Sequence, residues 1–298
     1  MKKVLITGAS GFLGYNLCHD LGEVYRIFTT HHKTKAPATA AGSIQWDMTG
    51  SFKPLDNWIS ANHIDVVIHC AALSKPGLCS ADPQLAHIMN VDATRELGLI
   101  AAKHKITMIF VSTDLVYNSG AGPHKEDEAD PYLLYSETKF DAEMKLFTVY
   151  PSSIVLRSGL IYGSYHGSSG SFLHENDKSL TRCEHIKLFI DQYRSPVWSR
   201  DIANAVHRII SMGLKSQIYN IGGSTRINRY DLGMMAADVF NWDQNKILPV
   251  PMDTITKDAA FLKDCSLDSA RLEKETGWKA TSLADALKVV ASEWATLK

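Results

Sequence analysis

Seven residues near the start of the chain constrain the fold more than any other stretch. Val4–Thr7 is a short β-rich apolar run, and it leads straight into Gly8-Ala9-Ser10-Gly11-Phe12-Leu13-Gly14. A helix-like segment, Leu13–Leu21, follows. In a G-x-x-G-x-x-G turn between strand and helix, each glycine has its own task. Gly8 permits the tight bend, Gly11 lets the backbone approach a pyrophosphate, and Gly14 lets the helix pack closely on the strand. The helix N-terminus adds free N–H groups and a dipole that favours an anion. The bland alternative is a glycine-rich turn without a ligand; the position at residue 8, after a strand and before a helix, argues against it. Gly8, Ser10, Gly11, Phe12, Leu13 and Gly14 are therefore candidate contacts to a dinucleotide.

Further β-rich runs follow at Arg26–Thr29, Asp65–His69, Thr107–Ser112 and Ser153–Arg157, with helical patterns such as Pro83–Lys103 and Tyr135–Val149 between them. This alternation predicts an α/β fold, a Rossmann-type doubly wound parallel sheet with helices on both faces. Val66-Val67-Ile68 and Ile109-Phe110-Val111 are continuously apolar, as strands buried on both sides require. After Tyr162 the alternation weakens, and Gly163–Gly170 reads as a loop or crossover. Asp201–Met212, Tyr230–Phe240, Ser266–Thr276 and Ser282–Ala295 are helical in character, and Gln217–Ile221 reads as a strand. The expected layout is a nucleotide-binding domain over 1–162, with a returning strand near 217–221. A smaller, mostly helical substrate lobe is expected over 163–298.

Charge and cysteines bound the partners. With 31 basic against 32 acidic residues, the net charge of −1 offers no field to attract nucleic acid or an anionic membrane. Any anionic ligand must be met by local basic groups. The five cysteines are scattered, odd in number and without a C-x-x-C pair, which predicts reduced thiols, no metal and a cytoplasmic protein. Gly8, Gly11 and Gly14 interrupt the first apolar run, so no secretory signal is expected, and no stretch is apolar enough to span a bilayer.

The end of the second strand bears on cofactor choice. An acidic residue there bonds a ribose 2′-hydroxyl and repels a 2′-phosphate. This chain has Thr29-Thr30-His31-His32-Lys33, with no carboxylate between Glu23 and Asp47. His31, His32 and Lys33 suit a phosphate, so NADP(H) is the expected cofactor; a solvated loop is the other reading. Adjacent histidines rarely share a metal, and no third ligand is placed.

Tyr135 and Lys139 stand four apart, on one face of a helix. Y-x-x-x-K arises by chance in many chains, and context gives it weight here. The strand before it ends in Thr113-Asp114, at the carboxyl edge where open α/β sheets bind ligands.

The glycine loop, Cys70-Ala71-Ala72, Ser112-Thr113-Asp114-Leu115-Val116-Tyr117 and the Tyr135/Lys139 pair together resemble the extended short-chain dehydrogenase/reductase superfamily. Gly122–Asp130, Asp191-Gln192 with Ser195-Pro196, and Ser266-Leu267-Asp268 make the chain look most like the dTDP-4-dehydrorhamnose reductase family. The resemblance implies NADPH-dependent reduction of a keto group on a nucleotide-activated 4-keto-6-deoxy sugar. It makes Tyr135 the proton donor and Thr113 the partner of the carbonyl oxygen, with Asp114 assisting through water. Lys139 would lower the phenol's pKa from about 10 and hold the nicotinamide ribose. Cys70, Ala71 and Ala72 would pass beside the diphosphate and ribose. Asp47 and Met48 match the adenine-contacting position, although a strand-end turn cap explains Asp47 equally well.

On the substrate side the resemblance points to Ser74, Thr113 and Leu160, with Gln192, Arg194, Arg226 and Arg229 as candidates for the nucleotide end. Leu160 stands where rhamnose-forming enzymes carry tryptophan, which leaves the sugar open. Three rival readings remain. Dehydratases put a glutamate after Thr-Asp, and Leu115 cannot do that work. An epimerase would hold NAD⁺ tightly. A non-catalytic NADP-binding regulatory subunit, like that of methionine adenosyltransferase, resembles the same family. A homodimer is a candidate assembly.

Overall fold

The structure is a computed structural model that describes every residue except 35–38, 119, 165–169, 255–261 and 298. Its centre is a sheet of β1 (Lys3–Thr7), β2 (Arg26–His31), β3 (Gly42–Gln45), β4 (Val66–His69), β5 (Thr107–Thr113), β6 (Ile154–Ser158) and β7 (Gln217–Ile221). The spatial order is β7-β6-β5-β4-β1-β2-β3, and every neighbouring pair is parallel. The order runs outward from β1 in one direction and from β4 in the other. A crevice therefore opens at the carboxyl ends of β1 and β4, the place where such sheets take ligands.

The apolar runs supply both faces because successive side chains of a strand point to opposite sides. Val4, Ile6, Val66, Ile68 and Ile109 join one core with α1 (Phe12–Leu21). Leu5, Val67, Met108 and Phe110 join the other with α2 (Lys53–Asn62), α3 (Ala93–His104) and α4 (Leu134–Val149). The first core also takes Ile202, Val206 and Ile209 of α5 (Ser199–Met212), together with Leu272 and the fully buried Trp278. Residues well beyond 162 thus pack on the sheet, and the chain crosses between sheet and lobe more than once. The lobe has its own core, including Tyr162, Leu173, Trp198, Leu232 of α6 (Arg229–Phe240), and Leu287 of α7 (Leu283–Leu297).

Three sequence expectations change. The segment expected as one helix over Pro83–Lys103 contains a π-helical turn at Ile88–Asp92. Of Ser266–Thr276, only Ala270–Thr276 is helical. Its first residues are held extended: Ser266 Oγ donates to Asp264 Oδ1 at 2.7 Å, and Leu267 N donates to Ser195 Oγ at 3.1 Å. The lobe also carries small strand pairs that the sequence did not suggest: Ile161–Tyr162 with Val197–Trp198, Tyr193–Arg194 with Ile227–Asn228, and Ile186–Phe189 with Ile247–Val250. Much of the Gly163–Gly170 loop lies outside the described residues.

Candidate active site

A cleft of 680 Å³ lies along the carboxyl ends of the strands. Gly8, Ser10, Gly11, Phe12, Leu13 and Gly14 form one wall, and Cys70, Ala71, Ala72 and Ser74 form another. At Gly8 and Gly14 the backbone leaves no room for a larger residue. Gly8 has φ +69°, and a Cβ on it would lie 2.7 Å from Ala71 N; a Cβ on Gly14 would lie 2.3 Å from Gly8 O. The N-cap of α1 is Gly11, which has no side chain to cap it, and the first turn of the helix holds no carboxylate. That arrangement suits the pyrophosphate of a dinucleotide.

Behind the second wall runs a buried polar chain. Ala71 N donates to Thr7 Oγ1 at 3.2 Å, and Thr7 Oγ1 shares a hydrogen bond with His69 Nδ1 at 2.7 Å. His69 Nε2 meets Thr94 Oγ1 at 3.2 Å. Burial pushes the His69 imidazole down to about 3, aided by the charge of Lys139, so the ring is neutral. Asn90, in the π-helical turn, accepts from Leu73 N at 2.8 Å and donates to Thr138 Oγ1 at 3.0 Å. Asn90 thereby ties this wall to the helix that carries Tyr135 and Lys139.

Thr113, Asp114, Tyr135 and Lys139 all line the cleft. A hydrogen bond with Thr113 favours the ionised phenol of Tyr135, but burial outweighs it and pushes the pKa up. This is the reverse of the lowering expected from Lys139. The Lys139 Nζ instead donates to Val111 O at 2.8 Å and sits 3.9 Å above the Phe110 ring. Burial brings its ammonium down to about 7. Asp114 accepts from Arg194 Nη1 at 2.8 Å.

At the nucleotide end, Thr30, His31, His32, Asp47 and Met48 line the cleft, whereas Lys33 is exposed and does not. His31 Nδ1 bonds Ser43 Oγ at 2.8 Å. Asp47 both caps a turn and faces the cleft. Its Oδ1 accepts from Thr49 N at 2.9 Å and Thr49 Oγ1 at 2.8 Å, and these bonds hold its pKa below the usual value. Its Oδ2 lies 3.6 Å from His32 Nε2, so folding brings a carboxylate to a segment that reads as purely basic in sequence.

Beyond Thr113 and Asp114, Leu115, Leu160, Arg194 and Arg229 line the cleft. Gln192 does not; its Oε1 accepts from Arg229 Nε at 3.0 Å and its Nε2 donates to Leu262 O at 3.3 Å. Arg226 is also outside the lining, paired with Asp264 at 2.7 Å. Arg194 Nε and Arg229 Nη1 are buried without a hydrogen-bond partner among the described residues. Burial, reinforced by the charge of Arg194, pushes Arg229 down to about 9. Two guanidiniums facing one carboxylate leave positive charge in the cleft, and an anionic ligand would satisfy it.

A family model described as the RmlD substrate binding domain matches residues 1–295. The chain belongs to that family. The "Probable low-salt glycan biosynthesis reductase Agl14" of Haloferax volcanii is 25% identical over 95% of this chain and 95% of its own. "Methionine adenosyltransferase 2 subunit beta" of Xenopus laevis is 26% identical over 92% and 82%. A solved structure of a "hypothetical dTDP-4-dehydrorhamnose reductase" from Sulfolobus tokodaii superposes with a TM-score of 0.79, at 26% identity, over 95% and 98%.

In this RmlD-family chain the site also draws on residues that sequence reasoning passed over. Trp46, Lys75 and Met89 line the cleft, and Asn90 and His69 brace it. Glu143 lies buried beside the site, at the next step of the Tyr135, Lys139 spacing on the same helix face. That i, i+4, i+8 pattern was the one available signal for it. Among the described residues no group of three His, Cys, Asp or Glu could hold a metal, and no helix is long and apolar enough to cross a membrane.

Proposed function

We propose that this chain is an NADPH-dependent reductase of a nucleotide-activated 4-keto-6-deoxy sugar, similar to dTDP-4-dehydrorhamnose reductases. The reading is carried by the meeting of Thr113, Tyr135 and Lys139 in one cleft with the glycine loop. Bound along that loop, NADPH supplies hydride to a carbonyl carbon. Tyr135 delivers a proton to the carbonyl oxygen, and the raised pKa keeps the phenol in the protonated form that reduction consumes. Thr113 holds the same oxygen by a hydrogen bond. Lys139 offers an ammonium to the ribose and steadies the phenolate left behind. Arg229 and Arg194 meet the diphosphate of the sugar nucleotide.

Dehydration fits poorly. Leu115 lacks an acid–base group, and the Asp114 carboxylate is already engaged by Arg194. His31 and His32 in the cleft lining support NADPH over NADH. A second reading, a non-catalytic NADP-binding regulatory subunit, is favoured by the likeness to the methionine adenosyltransferase subunit.

Steady-state NADPH oxidation with a panel of nucleotide 4-keto-6-deoxy sugars separates the two. The reductase reading expects turnover, and Tyr135→Phe should cut it by about 10²–10⁴-fold while NADPH affinity stays unchanged. Tight NADPH binding without turnover on any such sugar would select the regulatory reading instead.

A further inference from the structure

Glu143 follows Lys139 by one turn of α4, and both side chains reach β5. Lys139 Nζ donates to Val111 O, and Ser112 Oγ donates to Glu143 Oε1. Consecutive residues of one strand thus receive an ammonium and a carboxylate. Lys139 is 3% exposed and Glu143 0%. Arg157 approaches the same carboxylate from β6, with Nε at 3.1 Å and Nη2 at 2.7 Å from Oε2. Its Nη1 continues to the Tyr117 hydroxyl at 2.9 Å and to Glu126 O at 2.7 Å.

A buried ion pair adds little net stability, because desolvation offsets the attraction, and an apolar pair of equal volume packs as well. The charge of Glu143 therefore calls for another reason, and its surroundings supply one. The other titratable groups facing Lys139 are uncharged. His69, stacked on the Phe110 ring at 5.6 Å, is neutral because burial holds it near 3. Burial pushes the Cys70 thiol up to about 12 and pushes the Tyr135 phenol up as well, so neither is an anion near neutral pH. Glu143 is left as the carboxylate opposing the desolvation of Lys139, which even so is brought down to about 7.

We propose that Glu143 is a positioning residue for the reductase site. Its buried carboxylate favours the ammonium form of Lys139, and Ser112 and Arg157 fix it in place to do so. The inference rests on reading Lys139 as the site's cation, yet the ionisation of Lys139 is measurable without cofactor or sugar, so the two ideas fail separately.

The test is NMR of the full chain carrying isotope-labelled lysine, titrated across neutral pH, with the Lys139 signal identified by its loss in Lys139→Met. Wild-type Lys139 should titrate near neutrality. Glu143→Gln keeps the side chain's shape and one acceptor oxygen but removes the charge, and it should move the midpoint toward acid by about one unit or more. NADPH affinity of the same variant should then fall at pH 8 and recover at lower pH, a pattern that mere loosening of the core would not give. If Glu143→Gln does not fold, the paired change Glu143→Met with Arg157→Met removes both buried charges and should move the midpoint toward acid by a smaller amount, because the Arg157 charge that opposed the ammonium is lost with the carboxylate. An unmoved or more alkaline midpoint in a folded variant overturns the proposal. Failure of both variants to fold overturns it too, by assigning Glu143 to the core alone.

Discussion

The two ends of the cleft are built from different materials. The end proposed for the cofactor is backbone: a left-handed Gly8, a helix start whose N-cap is Gly11, and a turn at 70–72 pressed against the glycine loop. The end proposed for the substrate is side chain: Arg194 bonded to Asp114, Arg229 bonded to Gln192, and Leu115 and Leu160 beside them. A backbone cradle gains specificity from what it leaves out, since any added Cβ fills it. A side-chain site gains specificity from charges that burial has made costly to leave unmatched.

If the division is real, damage to one end should leave the other intact. Gly11→Val places a branched side chain where a pyrophosphate would lie, while φ at Gly11 is ordinary. It should abolish NADPH binding in a chain that still folds, as calorimetry together with circular dichroism would show. Normal cofactor affinity in that variant would sink the dinucleotide reading of the loop. Arg229→Met keeps an apolar stem and removes the guanidinium with its charge. It should raise the KM for the sugar nucleotide about 10- to 100-fold, the scale of a charge-assisted hydrogen bond, and leave NADPH affinity alone. An equal loss in both constants would dissolve the distinction between the ends. The smallest effect belongs to the rim of the cofactor end. Replacing His31, His32 and Lys33 together by alanine should weaken NADPH by about tenfold or less, because these groups are solvated, and should spare NADH. Equal NADH and NADPH affinities in the wild type would refute the cofactor preference.

The same contrast explains what was legible in the sequence. The glycine loop is contiguous, and backbone geometry forces its residue types, so seven letters disclose it. Strands β4 to β6 were legible because burial on both faces demands unbroken apolar runs. The polar brace was hidden: Thr7, His69 and the Asn90/Thr94 pair belong to three separate segments, and only folding brings those segments together. The approach of Asp47 to His32 was hidden for the same reason, since the turn after β3 carries it there. Arg194 and Arg229 were visible as candidates among several arginines, but nothing local separated them from Arg226, which pairs with Asp264 instead. The start of the Ser266–Thr276 segment looked helical because its pattern suits a helix. Tertiary bonds to Asp264 and Ser195 outweigh that local preference.

The position of β7 has a consequence for how the molecule is made. That strand pairs with β6 along its whole length, yet the first part of the lobe is threaded between them in the chain. During synthesis β6 therefore emerges with its outer edge bare, and it stays bare until residues 217–221 arrive. The bare edge carries Ile154, Val155 and Leu156, a row of unpaired amides flanked by apolar side chains that invites a stranger's strand. A ribosome that stalls within the lobe would hold the nascent chain at its stickiest moment, with six strands assembled and the seventh not yet written.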